Sequence, residues 1–136
     1  MFDDINDLYQ QVILDHCKKP RNFHEMPQAT CSARGHNPLC GDQLKLFLAV
    51  DGDRIKDISF VGSGCCISKA SASLLTEFAK GKSISEMKKL GKEELIKLLG
   101  ADPGPGRIEC ALLGLEVLKA ALDGEQSSRA SEELAR

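Results

Sequence analysis

The sequence predicts an α+β domain in which a small antiparallel sheet of about three strands packs against helices on one side. Alternating apolar and polar residues mark two strands that are joined by a tight turn at residues 51–53. Helical periodicity before and after this hairpin marks amphipathic helices, so strands and helices are segregated along the chain. With 136 residues, the chain is long enough for one hydrophobic core.

The N-terminal part is expected to begin with a helix over residues 3–18, whose apolar residues recur at helical spacing. Pro20 ends this helix, because proline cannot donate the next backbone hydrogen bond. The following residues, 19–41, are rich in proline and glycine and show little periodicity. Only a short strand near Ala29–Ala33 is predicted within them.

The predicted hairpin has a strongly apolar first strand over residues 44–50, in which leucines and a valine recur at every second position. The sequence Asp51-Gly52-Asp53 is a typical hairpin turn. The second strand returns from Ile55 to Val61, and the two glycines of residues 62–64 end it.

The second half of the chain predicts helices whose ends carry glycine or capping residues. They are expected at residues 65–80, 83–90, 92–99 and 110–122. Ser83 and Glu86 have the spacing of a capping box at the start of the second of these helices. We therefore expect a single domain over residues 1–122, followed by a flexible polar tail over residues 123–136.

Composition and charge exclude several classes of function. A formal net charge of −2 argues against non-specific binding of nucleic acid, which depends on basic surfaces. No apolar run reaches the ~20 residues that span a bilayer, so no membrane association is expected. The acidic, polar start of the chain is neither a secretory signal nor a transit peptide, which predicts a cytoplasmic protein.

Three of the six cysteines lie at glycine-marked or loop-to-helix junctions. Cys40 and Asp42 flank Gly41, which permits the bend that brings their side chains together. Cys65 follows a glycine-rich turn, and Cys110 follows a loop of proline and glycine. Three thiols and a carboxylate form a ligand set that zinc or an iron–sulfur cluster accepts. The sequence thus predicts a site for metal or sulfur chemistry.

Two of these thiols are predicted at helix starts. Gly64 lets the backbone turn sharply so that Cys65 falls at or beside a helix N-cap, and Cys110 is expected to open the last helix. The unpaired N–H groups and the helix dipole favour negative charge there, which stabilises a thiolate. The thiolate is the form that binds metal and acts as a nucleophile.

The other cysteines carry no motif. Disulfides are disfavoured in a cytoplasmic chain, so Cys17, Cys31 and Cys66 are expected to be structural, with Cys66 packing in the core. His36 lies close enough to the first junction to join a ligand set, although a solvated loop histidine is the commoner case. Arg107 is either a supporting cation for a thiolate, persulfide or carboxylate or a solvent-facing loop residue.

The chain resembles the U-type iron–sulfur cluster assembly scaffold family, which comprises IscU, SufU and the N-terminal domain of NifU. The resemblance extends from Leu8 to about Leu122. It rests on Ile13-Leu14-Asp15-His16, Pro20-Arg21-Asn22-Phe23, Asn37-Pro38-Leu39-Cys40-Gly41-Asp42, Gly62-Ser63-Gly64-Cys65 and Arg107-Ile108-Glu109-Cys110-Ala111. It implies the SufE/NifU-like fold. It also implies that Cys40, Asp42, Cys65 and Cys110 bind zinc or a nascent [2Fe–2S] cluster.

Within this family the chain is more similar to SufU. IscU proteins carry a Leu-Pro-Pro-Val-Lys motif for chaperone docking and a histidine directly before the last cysteine. Residues 103–107 here read Pro-Gly-Pro-Gly-Arg, and Glu109 stands in the histidine position. The resemblance therefore does not extend to the dedicated chaperone as a partner. In contrast, residues 81–106 lack the insertion of typical SufU proteins and are closer to IscU spacing.

Two functions follow from the resemblance. As a scaffold, the protein would receive persulfide sulfur from a SufS- or IscS-like cysteine desulfurase, build a [2Fe–2S] cluster and transfer it to recipient apo-proteins. As a zinc-dependent sulfurtransferase, it would activate a SufS-type desulfurase without holding a cluster. A purely structural zinc domain is disfavoured, because such sites prefer four Cys or His ligands in close pairs. Cys40 is the expected sulfur acceptor, since it lies in the most flexible loop, with Cys110 as the alternative.

Overall fold

Three antiparallel strands and five helices form the described part of the chain. The computed structural model describes residues 11–37, 41–100, 104 and 107–134, with only the backbone described for residues 124–134. The strands are β1 (Cys31–Asn37), β2 (Asp42–Asp51) and β3 (Arg54–Ser63). The helices are α1 (11–18 in its described part), α2 (Cys66–Ala79), α3 (Ile84–Lys88), α4 (Lys92–Leu99) and α5 (Ile108–Leu134).

The sheet has the order β1-β2-β3, and both pairs of neighbours are antiparallel, which confirms the predicted fold class. The register aligns Asn37 at the end of β1 with Asp42 at the start of β2, and Gln43 with Ser63 at the end of β3. The end of β1, the start of β2 and the end of β3 therefore lie together at one end of the sheet. This end is where the chain enters α2.

The core lies between the sheet and helices α2 and α5. The largest fully buried side chains come from β2, β3 and helices α2 to α5, and they include Leu46, Leu48, Ile58, Phe60, Leu75 and Leu118. Helix α5 lies directly on β1 at Gly35, where an added Cβ would lie 2.6 Å from Cγ2 of Val117. Only glycine allows this approach, which brings the first turn of α5 next to the end of β1.

Helices α2 and α5 are in close contact through small residues. The small residues Ala70, Ser71, Ala72 and Ser73 of α2 are all fully buried. The Ser71 hydroxyl donates a hydrogen bond of 2.6 Å to the backbone carbonyl of Ala111, and this bond fixes the first turn of α5 against α2. Small side chains thus determine where the start of α5 lies.

Some of the predicted ends of helices and strands are confirmed, and others differ from the structure. Ser83 caps α3 by accepting a hydrogen bond from the backbone N–H of Glu86, as its spacing predicts. The first strand covers Cys31–Asn37 rather than residues 29–33, because pairing with β2 extends it toward the site. No helix among the described residues is both long and apolar enough to cross a bilayer.

Helix α5 is longer at both ends than predicted. It begins at Ile108 instead of residue 110, so Cys110 is its third residue. At the other end the backbone stays helical to Leu134, beyond the predicted end at residue 122. Residues 123–134 are polar, but many are glutamate, alanine, arginine and leucine, which have high helix propensity. The flexibility of the tail and the domain boundary at residue 122 stay predictions.

Candidate metal centre

Three of the four predicted ligands come together at one end of the sheet. Asp42 is the first residue of β2, Cys65 is the N-cap of α2, and Cys110 lies in the first turn of α5. One ligand atom from each residue lies within 4.8 Å of the other two. The three residues are far apart in sequence, so the fold itself assembles this group.

Asp42 is the centre of the arrangement. Its carboxylate is fully buried, and Oδ1 accepts a hydrogen bond of 2.7 Å from the backbone N–H of Cys65. The other oxygen, Oδ2, lies 3.9 Å from the Cys65 sulfur. The carboxylate therefore satisfies an N–H at the start of helix α2, which the Cys65 side chain does not cap.

Gly64 allows the carboxylate to lie this close to the start of α2. Its backbone has φ +146°, which favours glycine, and a Cβ at this position would collide with the carboxylate of Asp42. Gly41 also has a positive φ, +75°, but a Cβ there would meet nothing within 4 Å. Gly64 is thus required both because a side chain has no room beside Asp42 and because its φ is positive, whereas Gly41 is favoured by its φ alone.

Cys110 is held in a buried position beside the end of β1. Its sulfur is fully buried and lies 3.8 Å from Nδ2 of Asn37, which points an N–H donor at it. Asn37 is itself buried and faces Asp42 across the β1–β2 pair. An amide donor of this kind stabilises a thiolate, because the hydrogen bond is stronger to the charged form.

Cys65 is the half-buried member of the group. Its sulfur lies 3.9 Å from the hydroxyl of Ser68, which donates a hydrogen bond of 3.0 Å to the backbone carbonyl of Cys65. Since Asp42 and Cys110 are fully buried, Cys65 is the ligand through which solvent reaches the described part of the site.

The donor atoms fit a metal ion that accepts both sulfur and oxygen. Zinc forms bonds of about 2.3 Å to sulfur and about 2.0–2.2 Å to oxygen, so the ligand atoms of a tetrahedral site lie about 3.3–3.8 Å apart. The 3.9 Å between Asp42 Oδ2 and the Cys65 sulfur is close to this range. Two thiols and one carboxylate leave one position of a tetrahedral site for a fourth ligand.

The predicted fourth ligand, Cys40, lies outside the described residues. The residues on either side of this segment are close, since the backbone N–H of Gly41 donates a hydrogen bond of 2.8 Å to the carbonyl of Asn37. The role of Cys40 as a ligand stays a prediction.

The other predicted residues lie at the edge of the site or away from it. Arg107 is exposed, three residues before Cys110, and its supporting role stays a prediction. Glu109 is also exposed. His36 pairs with Gln43 within the sheet and does not belong to the cluster of metal-binding groups found among the described residues.

The sequence did not indicate two residues that contact the ligands. Asn37 and Ser68 both place polar side chains next to a cysteine sulfur. Asn37 begins the motif that contains Cys40, so its position in the sequence is a usable signal, but its partner is 73 residues away. Ser68 lies three residues after Cys65, and this spacing on a helix predicts contact with the preceding turn.

The expectation that Cys17 and Cys66 are separate structural cysteines is wrong. They form a disulfide between α1 and the first residue of α2, with a Cα–Cα distance of 5.1 Å. Cys66 is half-buried and does not pack in the core, because its side chain faces α1. Cys31, in contrast, is buried in the hydrophobic core.

Comparison with known proteins gives one family and several close relatives. The family described as the NifU-like N terminal domain matches residues 8–130. The zinc-dependent sulfurtransferase SufU of Bacillus subtilis is 36% identical over 140 residues, which cover 90% of this chain and 95% of that protein. The iron–sulfur cluster assembly scaffold protein IscU of Streptococcus pyogenes is 37% identical over 137 residues, covering 87% and 84%.

Solved structures agree with these sequence relatives. The crystal structure of FiSufU from Fervidobacterium islandicum superposes with a TM-score of 0.74 at 30% identity and covers 82% of this chain and 94% of that chain. The NifU-like protein of Brucella abortus also has a TM-score of 0.74, but at 18% identity it supports the fold alone. Sequence and structure therefore indicate one family.

Proposed function

The chain belongs to the NifU-like N-terminal domain family, and from this membership we propose that it is an iron–sulfur cluster assembly protein. It receives persulfide sulfur from a cysteine desulfurase, supports assembly of a [2Fe–2S] cluster and transfers the cluster to recipient apo-proteins. The observation that carries this proposal is the convergence of Asp42, Cys65 and Cys110 within 4.8 Å, with a single half-buried thiol among them.

The ligand types suit a cluster that is built and then released. Thiolates are the usual ligands of iron–sulfur clusters, whereas a carboxylate is a harder oxygen ligand. We expect Cys40, Cys65 and Cys110 to hold the nascent cluster and Asp42 to be its exchangeable ligand. The burial of Asp42 and Cys110 excludes water from one side of the site, and Cys65 gives access from the other.

Sulfur delivery requires a thiol that a partner protein can reach. The acceptor thiolate attacks the outer sulfur of the desulfurase persulfide, the sulfur–sulfur bond breaks, and the desulfurase cysteine leaves as a thiolate. We propose Cys40 as the acceptor. The complete burial of Cys110 supports this choice, because a buried thiol does not meet an incoming persulfide unless the surrounding structure opens.

A second function is supported by the similarity to SufU of Bacillus subtilis, whose name describes a zinc-dependent sulfurtransferase. In this case Cys40, Asp42, Cys65 and Cys110 would hold zinc. Bound zinc would keep the thiols deprotonated at neutral pH. The residues of the chain would again position one thiol for persulfide transfer, and the protein would pass on sulfur without building a cluster.

Metal content and sulfur transfer, measured together, distinguish the two functions. The purified protein is assayed for zinc and iron, reconstituted anaerobically with iron and sulfide, and added to a cysteine desulfurase. The scaffold function predicts a [2Fe–2S] absorption spectrum and transfer of the cluster to an apo-ferredoxin. Tightly bound zinc, strong stimulation of the desulfurase and no stable cluster would reject the scaffold in favour of the sulfurtransferase.

Two pairs of variants test the assigned residues. Asp42→Ala removes the buried carboxylate, and Asp53→Ala removes an exposed aspartate from the turn at the other end of the β2–β3 hairpin. We expect only the first to change the lifetime of the bound cluster. Cys40→Ser is expected to lose sulfur acceptance and Cys110→Ser to retain it. The opposite result would make Cys110 the acceptor.

A further inference from the structure

The disulfide between Cys17 and Cys66 has no role in the proposed function. Both residues are half-buried, so solvent and small thiols reach them. Their Cα–Cα distance of 5.1 Å lies within the usual range of about 4.4–6.8 Å for a disulfide. Neither belongs to the group formed by Asp42, Cys65 and Cys110. The chain therefore carries a second pair of sulfur atoms in bonding distance.

Contacts other than the disulfide hold Cys17 next to Cys66. The neighbouring residue His16 is buried, and its Nδ1 lies 2.7 Å from the hydroxyl of Ser73 on α2. The same hydroxyl accepts a hydrogen bond of 2.8 Å from the backbone N–H of Arg21. Ser73 lies two helical turns after Cys66 and thus on the same face of α2.

These contacts keep the two thiols together after reduction. A thiol pair held in position reacts as an intramolecular pair with a high effective concentration, so it closes readily to a disulfide. The Cys17–Cys66 pair is thus suited to cycling between dithiol and disulfide.

The pair is directly connected to the metal centre through the chain. Cys66 follows Cys65, and consecutive Cα atoms are about 3.8 Å apart. The Cys65 sulfur faces Asp42, whereas the Cys66 sulfur faces α1. The start of α2 therefore carries one thiol of the metal centre and one thiol of the redox pair side by side.

Resting on the proposed function, we propose that Cys17 and Cys66 form a dithiol that reduces persulfide sulfur to sulfide. The bridging sulfur of a [2Fe–2S] cluster is sulfide, whereas a persulfide delivers sulfur at the oxidation level of elemental sulfur. Two electrons are needed for each sulfur atom. Two thiols that close to one disulfide supply two electrons.

In each step one sulfur–sulfur bond forms and one breaks. The Cys65 thiolate takes the outer sulfur from the persulfide of Cys40, the acceptor under the proposed function, and Cys40 leaves as a thiolate. The Cys66 thiol then attacks the outer sulfur of the Cys65 persulfide, which takes the sulfur to Cys66 and returns Cys65 to a thiol. Cys17 then attacks the Cys66 sulfur, the bond between that sulfur and the transferred sulfur breaks, and hydrosulfide leaves with the Cys17 proton. The product is the Cys17–Cys66 disulfide. A dithiol reductant of the thioredoxin class restores the pair by thiol–disulfide exchange.

The test uses the full-length, metal-free protein, reduced and then freed of reductant under anaerobic conditions. Sulfur comes from a cysteine desulfurase with cysteine in one arm and from inorganic polysulfide in the other. Alkylated samples are analysed by mass spectrometry, and hydrosulfide is measured in the desulfurase arm. We expect a Cys17–Cys66 disulfide with about one hydrosulfide per chain, although oxygen is absent.

Variants identify the role of each thiol. Cys17→Ser is expected to retain a persulfide on Cys65 or Cys66 and to release at least tenfold less hydrosulfide than the wild type. Cys66→Ser is expected to retain a persulfide on Cys65 and to show the same loss of hydrosulfide release. Cys31→Ala, which changes a core cysteine outside both groups, should behave like the wild type. Circular dichroism of each variant checks that it is folded.

The outcomes separate this proposal from the proposed function. Persulfide that accumulates on the wild type without a Cys17–Cys66 disulfide overturns the reducing role and leaves sulfur acceptance intact. Equal hydrosulfide release from wild type and Cys17→Ser overturns it as well. If the desulfurase transfers no sulfur while polysulfide still yields the disulfide, the proposed partner is wrong and the reducing chemistry stands.

Discussion

The carboxylate of Asp42 accepts a hydrogen bond of 2.7 Å from the backbone N–H of Cys65, 23 residues later in the chain. Cys65 is the N-cap of α2, and its own side chain makes no capping hydrogen bond. Asp42 therefore provides the cap as well as a predicted metal ligand. As a result, the geometry of the ligands and the start of the helix depend on the same side chain.

Gly64→Ala is expected to disrupt this arrangement. The added Cβ would collide with the Asp42 carboxylate at a backbone position that already disfavours alanine. Overpacking of a close contact costs about 1–3 kcal/mol, in addition to about 1–2 kcal/mol for the positive φ. We expect loss of zinc binding and a clear fall in the free energy of unfolding, measured by urea denaturation.

Gly81→Ala is the matched control for this substitution. Gly81 has φ +86°, but an added Cβ would meet nothing within 4 Å. Gly81→Ala should lower the free energy of unfolding only by the cost of the positive φ, about 1–2 kcal/mol, and the variant should bind zinc normally. Equal effects of the two substitutions would show that the contact with Asp42 is unimportant.

Asp42→Asn separates the capping role from the ligand role. The amide oxygen still accepts a hydrogen bond from Cys65, but an uncharged amide is a weaker metal ligand than a carboxylate. We expect the affinity for zinc to fall at least tenfold, measured by competition with a chromogenic chelator. Thermal unfolding of the metal-free protein should change little, as in the control Asp53→Asn. Undiminished zinc affinity would remove Asp42 from the ligand set.

The stability of the protein is expected to fall as the pH decreases from 7.5 to 5.5. Burial of His16, together with the charge of Arg21, lowers the pKa of this histidine below its usual value of 6.5, and Glu77 and Asp15 oppose the shift. The unfolded chain therefore binds a proton below about pH 6.5 that the folded chain resists, so acid favours unfolding. The contribution of His16 to stability is complete above the pKa of this histidine in the unfolded chain and is lost as the pH falls toward its pKa in the folded chain.

Urea denaturation at the two pH values measures this effect. His16→Gln should reduce the difference in the free energy of unfolding, whereas His24→Gln, which changes an exposed histidine, should preserve it. An identical pH dependence in all three proteins would mean that other groups are responsible.

Reduction of the Cys17–Cys66 disulfide is expected to destabilise the wild type. The bond links residues 49 apart in sequence, and cross-links that close loops of this length stabilise folded proteins by about 2–4 kcal/mol. Addition of dithiothreitol should lower the melting temperature of the wild type. The melting temperature of Cys17→Ser should not respond, and a response there would assign the effect to another part of the chain.

Most of the fold was predictable because its signals are local. The alternation of residues 44–50, the turn at 51–53 and the capping box at Ser83 each depend on neighbours in sequence, and all appear in the structure. The beginning of β1 was not predictable to the residue, since its length is set by pairing with β2. The polarity of residues 123–134 predicts that α5 ends at residue 122, whereas the helix propensity of these residues extends the helix to Leu134.

The site was predictable in its residue types but not in its contacts. Glycine next to Cys65 and Asp42 indicated junctions, and the structure brings these junctions together with Cys110. The amide contact from Asn37 and the pairing of Cys17 with Cys66 depend on how distant segments pack. No periodicity or local motif encodes such contacts, which is why they emerged only from the structure.

The unequal burial of the ligands imposes an order on the exchange of cargo. Among the described ligands, Asp42 and Cys110 are closed off by the fold, and Cys65 is open on one face. A sulfur donor and a cluster recipient would both approach through this face, so each excludes the other while it is bound. The sulfur donor and the cluster recipient would then bind alternately, and an excess of either protein would inhibit binding of the other.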